Sequence, residues 1–359
     1  MTGSRGQLAI GLMSGTSMDG IDAAILRTDG DASAVPVASR TFPYPEAFRS
    51  RLDRLVRAGP QDATECAAVE RELTELHARA VRELLRGTRA YPELIGFHGH
   101  TVLHRPEEGR SRQLGDGKLL ARLAGCPVVW DFRSADLAAG GQGAPLAPVY
   151  HACLARSLAR PLAILNIGGI ANLTWIGEGE QMLAFDSGPG NALLDDWALR
   201  HTGRPLDENG GLAARGRVEE TRLAAALAHP FFDRPPPKSL DRLDFSTEIV
   251  EGLSPEDGAA TLTALTAAAV ARATAWLPAS PGRWLVTGGG RRNPVLMAML
   301  AERLSRAVEP IEVVGADGDA LEAQCFAYLA VRVLRGLPTS FPGTTGVRHP
   351  VCGGRIARP

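Results

Sequence analysis

Closely spaced cysteines are missing from this sequence. The five present, Cys66, Cys126, Cys153, Cys325 and Cys352, are odd in number and widely scattered. That leaves no zinc or C-x-x-C redox site, and the thiols read as reduced residues of a cytoplasmic protein. A surplus of charge is missing too. Against 39 basic residues stand 40 acidic ones, for a net charge of -1, so no broad field draws the chain onto nucleic acid or an anionic membrane, and a small-molecule partner is favoured. Long apolar runs are also absent. The run from Leu8 to Met13 is too short for a secretory signal. The most apolar helical stretch, Ala259 to Leu277, is mainly alanine and threonine with Arg272 near its middle, which reads as a buried helix rather than a bilayer span. No P-loop lysine signature, complete G-x-G-x-x-G, H-E-x-x-H or G-x-S-x-G occurs, so P-loop NTPases, dinucleotide enzymes and common hydrolases lose ground.

What is present is a chain of 359 residues, 45% apolar, enough for two cores of ordinary domain size. Leu8 to Met13 and Ile21 to Leu26, joined by a Gly/Ser/Thr/Asp turn, carry a hairpin signal. The same layout returns at Leu162 to Ile167 and Ile170 to Ile176 around Gly168-Gly169, so each of two lobes is expected to open with such a hairpin. Val69, Leu73, Leu76, Ala80 and Leu84 recur at helical spacing, with Gly87 where a C-cap belongs. Strands are expected at Glu93 to His98, Val128 to Trp130, Met182 to Phe185 and Trp284 to Thr287. Asn191 is placed to cap one helix, and Asn293 with Pro294 to open another. Strands alternating with helices imply an α/β fold.

The chemistry-bearing features are Gly-rich turns at strand ends, where backbone N–H groups hold phosphate oxygens without a lysine. In GLMSGTSMDGID, Gly11 to Asp22, the glycines permit close approach, Ser14, Thr16 and Ser17 offer hydroxyls, and Asp19 and Asp22 suit Mg²⁺ directly or through water. The same segment also reads as a plain polar turn with an Asx hydrogen bond. LNIGGIANL, Leu165 to Leu173, suits a second phosphate-facing turn. FDSGPGN, Phe185 to Asn191, puts a carboxylate at a strand end, which serves either as a turn former or as a general base.

Together with WDFRSADLAAGGQGAPLAP (Trp130 to Pro148) and VTGGGRRNP (Val286 to Pro294), these segments resemble, in order, the signature set of the anhydro-N-acetylmuramic acid kinase family. The resemblance runs from about residue 10 to the region of Glu322. It implies an actin-like, hexokinase-like fold of two ribonuclease-H-like lobes with a central ATP cleft, and ATP with Mg²⁺ as cofactors. The reaction implied is conversion of 1,6-anhydro-N-acetylmuramic acid, ATP and water to N-acetylmuramic acid 6-phosphate and ADP, within peptidoglycan recycling. It further implies a homodimer, while the balanced charge leaves no nucleic-acid or membrane partner expected.

Asp186 is by resemblance the base, and no second carboxyl group is needed if the γ-phosphoryl group captures the leaving oxygen, unlike in an inverting glycosidase. Gly15, Thr16, Ser17, Met18, Asp19, Gly20, Ile21 and Asp22 match the ATP phosphate loop, with Asp19 and Asp22 as candidate Mg²⁺ ligands. Gly168 and Gly169 are expected across the phosphates, and Gly288, Gly289, Gly290 and Asn293 near the adenosine. Asp131 and Arg133 read as sugar contacts or as a structural ion pair. Glu322 reads as a sugar contact or, with Asp319, as a capping box. His98 is a candidate sugar contact. With His100 and His104 it could also suggest a metal site, although no carboxylate or cysteine completes one. Lobe 1 is expected at residues 1–130 with a return at about 337–359, and lobe 2 at 131–336. One departure stands at Lys238-Ser239, where the family pattern continues Thr-Gly-Arg-Glu and this chain has Leu240-Asp241-Arg242-Leu243. The rival readings are another actin-like sugar kinase and a non-catalytic ATP-binding module.

Overall fold

The computed structural model describes residues 6–15, 18–58, 63–86, 88, 90–241 and 244–359. The chain divides into two units, residues 1–156 with 320–359, and residues 157–319. The first unit opens with β1 (Gln7–Ser14), β2 (Gly20–Thr28) and β3 (Ala34–Pro43), followed by α1 (Glu46–Ala58) and α2 (Ala63–Arg86). Then come β4 (Leu94–Arg105), β5 (Arg110–Leu114), α3 (Gly117–Ala124), β6 (Val128–Trp130), α4 (Ser134–Ala138) and α5 (Pro148–Leu154). The expected first hairpin is present, with Met13 opposite Asp22. The sheet runs β3-β2-β1-β4-β6, with β2 antiparallel to its neighbours, β1, β4 and β6 parallel, and β5 added on β4. Because side chains alternate along a strand, Leu8, Ile10 and Leu12 of β1 pack with Phe48 and Leu52 of α1 and Val69 and Leu73 of α2. The expected C-cap of α2, Gly87, lies outside the described residues.

The second unit contains β7 (Leu162–Ile167), β8 (Ile170–Ile176), β9 (Met182–Pro189), α6 (Ala192–Thr202), α7 (Glu220–Leu227), α8 (Pro255–Ala273), β10 (Arg283–Thr287), α9 (Pro294–Leu304) and β11 (Val308–Pro310). Its sheet runs β9-β8-β7-β10-β11, again with the second strand antiparallel and the first, fourth and fifth parallel. The repeated hairpin therefore belongs to a repeated sheet, with the ribonuclease-H-like order in both units. Helix α8 is buried along nearly its whole length, as its alanine-rich composition predicts. Among the described residues, no helix is long and apolar enough to cross a membrane.

The chain then returns to the first unit as α10 (Leu321–Leu334), α11 (Pro342–Thr345) and β12 (Arg355–Ala357), the last pairing with β6. The expected boundaries at 130 and 337 are thus displaced to 156 and 320. The cause is packing. A Cβ at Gly11 on β1 would lie 1.7 Å from the Ala323 carbonyl oxygen, so only glycine admits the α10 backbone onto this sheet. Tyr150 of α5 donates a hydrogen bond to Gln324 at 2.9 Å, and Arg332 donates to the Gly30 carbonyl at 2.7 Å. Ala320, and not Asp319, occupies the N-cap of α10. Asp319 instead pairs with Arg291 at 2.9 Å and with Arg292, so it does not hold the N-cap position that the capping-box reading of Asp319 and Glu322 requires.

Candidate active site

In the first unit the candidate phosphate loop joins β1 to β2. Thr16 and Ser17 lie outside the described residues. Gly15 accepts a bond from Met18 N–H at 3.1 Å, and Met18 is left-handed with φ 54°. Gly20 opens β2, Ile21 is buried in the core, and Asp22 accepts from the Thr41 hydroxyl at 2.6 Å. Asp19 is exposed, and its carbonyl accepts from Tyr44 N–H at 3.1 Å. The Tyr44 hydroxyl donates to Ser14 Oγ at 2.7 Å, and Ser14 Oγ lies 3.0 Å from His100 Nδ1. Tyr44 thus bonds to Ser14 and to Asp19, on either side of the loop in the chain. Ser14, Tyr44 and His100 are all buried, and desolvation pulls His100 down to about 4, so the imidazole stays neutral at pH 7.

Beside this chain a β-bulge separates the pairs Leu12 with Phe97 and Ser14 with His100, placing an extra residue on β4. Buried His98 lies there. Its Nε2 is 2.9 Å from Arg133 Nη2 and its Nδ1 is 2.9 Å from the Gly99 carbonyl. Arginine only donates, so Nε2 accepts and the proton sits on Nδ1. Burial, reinforced by Arg133, holds His98 well below its ordinary pKa. Arg133 also donates to the Gly143 carbonyl at 2.7 Å, while its buried Nε has no hydrogen-bond partner among the described residues. Burial pulls Arg133 down to about 10, and Glu322 acts against that shift. His98, Arg133 and Glu322 therefore belong to one neighbourhood.

Asp131 has different partners. It pairs with Arg355 of β12 at 2.9 Å and accepts from Ser134 Oγ at 2.5 Å, so its ion pair is with Arg355 and not Arg133. His100 and His104 also diverge, to Ser14 and Ser111. Among the described residues, no three His, Cys, Asp or Glu side chains are grouped to hold a metal ion. Asp19 and Asp22 offer carboxylate oxygens at the loop, a donor chemistry that fits Mg²⁺ held partly through water and phosphate.

In the second unit Asp186 lies within β9, opposite Asn172, rather than in a turn. The strand continues to Pro189 because a bulge absorbs the irregularity: Asn172 faces Asp186 and Ala171 faces Gly188, leaving Ser187 as the extra residue. Ser187 Oγ donates to the Ala171 carbonyl at 3.0 Å. Bulges re-aim neighbouring side chains. Asp186 N–H donates to the Lys238 carbonyl at 3.0 Å, and Leu240 N–H donates to Asp186 Oδ2 at 2.8 Å. Desolvation by the surrounding protein raises the carboxyl to about 7, against the Leu240 hydrogen bond and the Lys238 charge.

The glycine turns of this unit gather around Asn191. Asn191 N–H donates to the Gly168 carbonyl at 2.7 Å, and Gly190 N–H to the Gly169 carbonyl at 3.0 Å. The Asn191 side chain does not cap α6; Nδ2 donates instead to the Ile167 carbonyl at 3.2 Å. Gly288 has φ 75°, and a Cβ there would lie 2.5 Å from Asn166 Oδ1 and from the Ile167 carbonyl oxygen. Ideal Cβ positions on Gly289 and Gly290 lie 3.5 and 3.3 Å from the Asn191 amide. Arg291 donates to the Gly288 carbonyl at 2.9 Å and pairs with Glu312 at 2.7 Å. Asn293 is the N-cap of α9, its Oδ1 accepting from Val295 and Leu296 N–H. The residues that sequence reasoning missed are Tyr44 and Lys238. Neither has a sequence signal, because each acts on a segment distant in the chain, Tyr44 on Ser14 and Asp19, and Lys238 on Asp186.

The family description "Anhydro-N-acetylmuramic acid kinase" matches residues 7–358. Relatives of that name are 56% identical in Rhodospirillum rubrum, over 96% of this chain and 93% of that one, and 56% identical in Paramagnetospirillum magneticum, over 97% and 99%. Another in Rhizorhabdus wittichii is 52% identical over 98% and 99%. With a family match across almost its full length and relatives this similar over both full chains, the chain belongs to the anhydro-N-acetylmuramic acid kinase family.

Proposed function

We propose that this chain is an ATP-dependent carbohydrate kinase that opens and phosphorylates 1,6-anhydro-N-acetylmuramic acid in one coupled step, with Asp186 as the general base. The observation that carries the reading is the state of Asp186: a carboxylate oriented by the Leu240 N–H and raised to about 7 by burial. A base works best when its pKa is near the operating pH. Asp186 takes a proton from water as that water forms a bond to the anomeric carbon. The bond from that carbon to the bridging oxygen breaks, and this oxygen takes the γ-phosphoryl group from ATP as ADP leaves. The products are N-acetylmuramic acid 6-phosphate and ADP.

Gly15 to Asp22 serve the ATP phosphates, as do Gly168 and Gly169, and Gly288 to Gly290 serve the adenosine. Asn293 acts there through the helix it caps. Such transfer depends on positioning and charge stabilisation more than on covalent help from the protein. Asp19 and Asp22 would hold Mg²⁺, which would supply positive charge against the phosphates when bound. His98, Arg133 and Glu322 contact the sugar, with the unpartnered Arg133 Nε as the donor still available for it. Asp131 supports them from its pair with Arg355. Magnesium, a homodimeric assembly, a cytoplasmic setting and a place in peptidoglycan recycling complete the proposal.

The test is mass spectrometry of the product formed from ATP, Mg²⁺ and 1,6-anhydro-N-acetylmuramic acid in ¹⁸O-labelled water, read before mutarotation exchanges the label. A phosphorylated, ring-opened sugar labelled at its anomeric hydroxyl is expected. An unopened phosphorylated sugar, or no product despite ATP binding, contradicts the reading.

A further inference from the structure

Lys238 is only 6% exposed, a placement lysine seldom takes without a strong reason. Its Nζ donates to the carbonyls of Phe231 at 3.1 Å and Phe232 at 3.3 Å, and sits 4.6 Å from the Phe231 ring centroid. The rings of Phe185 and Trp276 lie at 5.8 Å. This nest fixes the lysine, and the lysine fixes the main chain around it. Its own carbonyl takes the Asp186 N–H, and two residues on, Leu240 N–H holds the Asp186 carboxylate. One anchored three-residue segment therefore grips both the backbone and the side chain of the base.

We propose that Lys238 is the positioning residue for Asp186: its ammonium, held by the Phe231 and Phe232 carbonyls, locks the 238–240 segment that grips the base and brings a positive charge to that segment. The inference rests on the reading of Asp186 as the base. A purely packing role would be met by an apolar side chain of similar length, without the cost of burying a charge. That cost is visible, since burial brings Lys238 down to about 8. The charged groups acting on it are Arg272 of α8 and Arg234, which push the same way, and Asp233 and Asp186, which oppose them. Arg272 is itself tied to Asp233 at 2.5 Å. The Lys238 charge in turn lowers the Asp186 carboxyl. The nearby departure from the family pattern leaves this grip intact, because Leu240 acts through its backbone N–H; Arg242 and Leu243 lie outside the described residues.

The experiment is the pH dependence of kcat/KM for the parent, K238M, K238R and D186N. K238M is expected to move the acid limb upward by roughly half a unit to one unit and to lower kcat near neutrality by about 10-fold, with the KM for ATP little changed. K238R keeps the charge and is expected to keep the limb near the parent position. K238Q removes the charge while retaining a donor for the two carbonyls, and replaces K238M if that variant does not fold. A second readout needs no turnover. The difference in unfolding free energy between chains with Asp and with Asn at position 186, followed against pH, reports the carboxyl titration in the parent and K238Q backgrounds. An unmoved titration, or K238R shifting as far as K238M, overturns the proposal. Full turnover by D186N instead overturns the base reading, and the linkage readout then still decides the role of Lys238.

Discussion

The two units share one strand order but differ in what their buried polar groups do near neutral pH. In the first, His77 and His100 are pulled down to about 4 and His98 is also held low, each chiefly by burial. These imidazoles stay neutral, and they brace loops and strands. In the second, burial raises Asp186 to about 7 and lowers Lys238 to about 8, so both titrate where an enzyme works. One strand order thus carries neutral, bracing imidazoles in one unit and groups that titrate near neutrality in the other, and the difference lies in a few side chains.

The comparison breaks most directly at Asp186. D186N keeps the size of the side chain and removes the base, so turnover should fall by ~10²–10⁴-fold while ATP affinity, measured by calorimetry, is retained. In the same unit, G288A places a Cβ against Asn166 and Ile167 at positive φ. A loss of about 1–3 kcal/mol in denaturant unfolding is expected.

Much of this was legible beforehand. Both hairpins follow from alternating apolar residues around Gly-rich turns, and the Asn293 cap with Pro294 behind it is a local signal that nothing distant overrides. The end of β9 was not legible, because Gly188-Pro189 reads as a strand breaker while the bulge at Ser187 lets pairing continue. Nor was the assignment of α10: its apolar residues suit any sheet, and only the approach to Gly11 selects the first one. A lysine behind three prolines reads as solvent-exposed. Its burial depends on Phe231 and Phe232, which the sequence does not mark as its partners.

Stability against pH sharpens the contrast, since the two units carry opposite signs. The folded-state pKa of Asp186 is raised, so its contribution is full below the ordinary carboxylate range and is lost as pH rises through about 7. D186N should therefore gain about 1–3 kcal/mol on the parent between pH 4 and pH 8. His77 and His100 have lowered pKa values, so their contribution is present above about 6.5 and is lost as pH falls through about 4. Hydrogen exchange at pH 4.5 should show the first unit opening before the second. The smallest effect is expected from Y44F, which removes the hydroxyl from Ser14 but leaves the backbone bond to Asp19. A loss of about 1 kcal/mol of stability is expected, with a KM for ATP raised a few-fold and an unchanged pH profile.

The claim that the second unit supplies the base is tested most directly by the pH dependence of kcat/KM for the sugar, compared between the parent and D186N. The account predicts that the parent rate rises through a single ionisation near pH 7 and that D186N retains only a low rate without that limb. A flat parent profile from pH 5.5 to 8.5, or the same limb surviving in D186N, would contradict it.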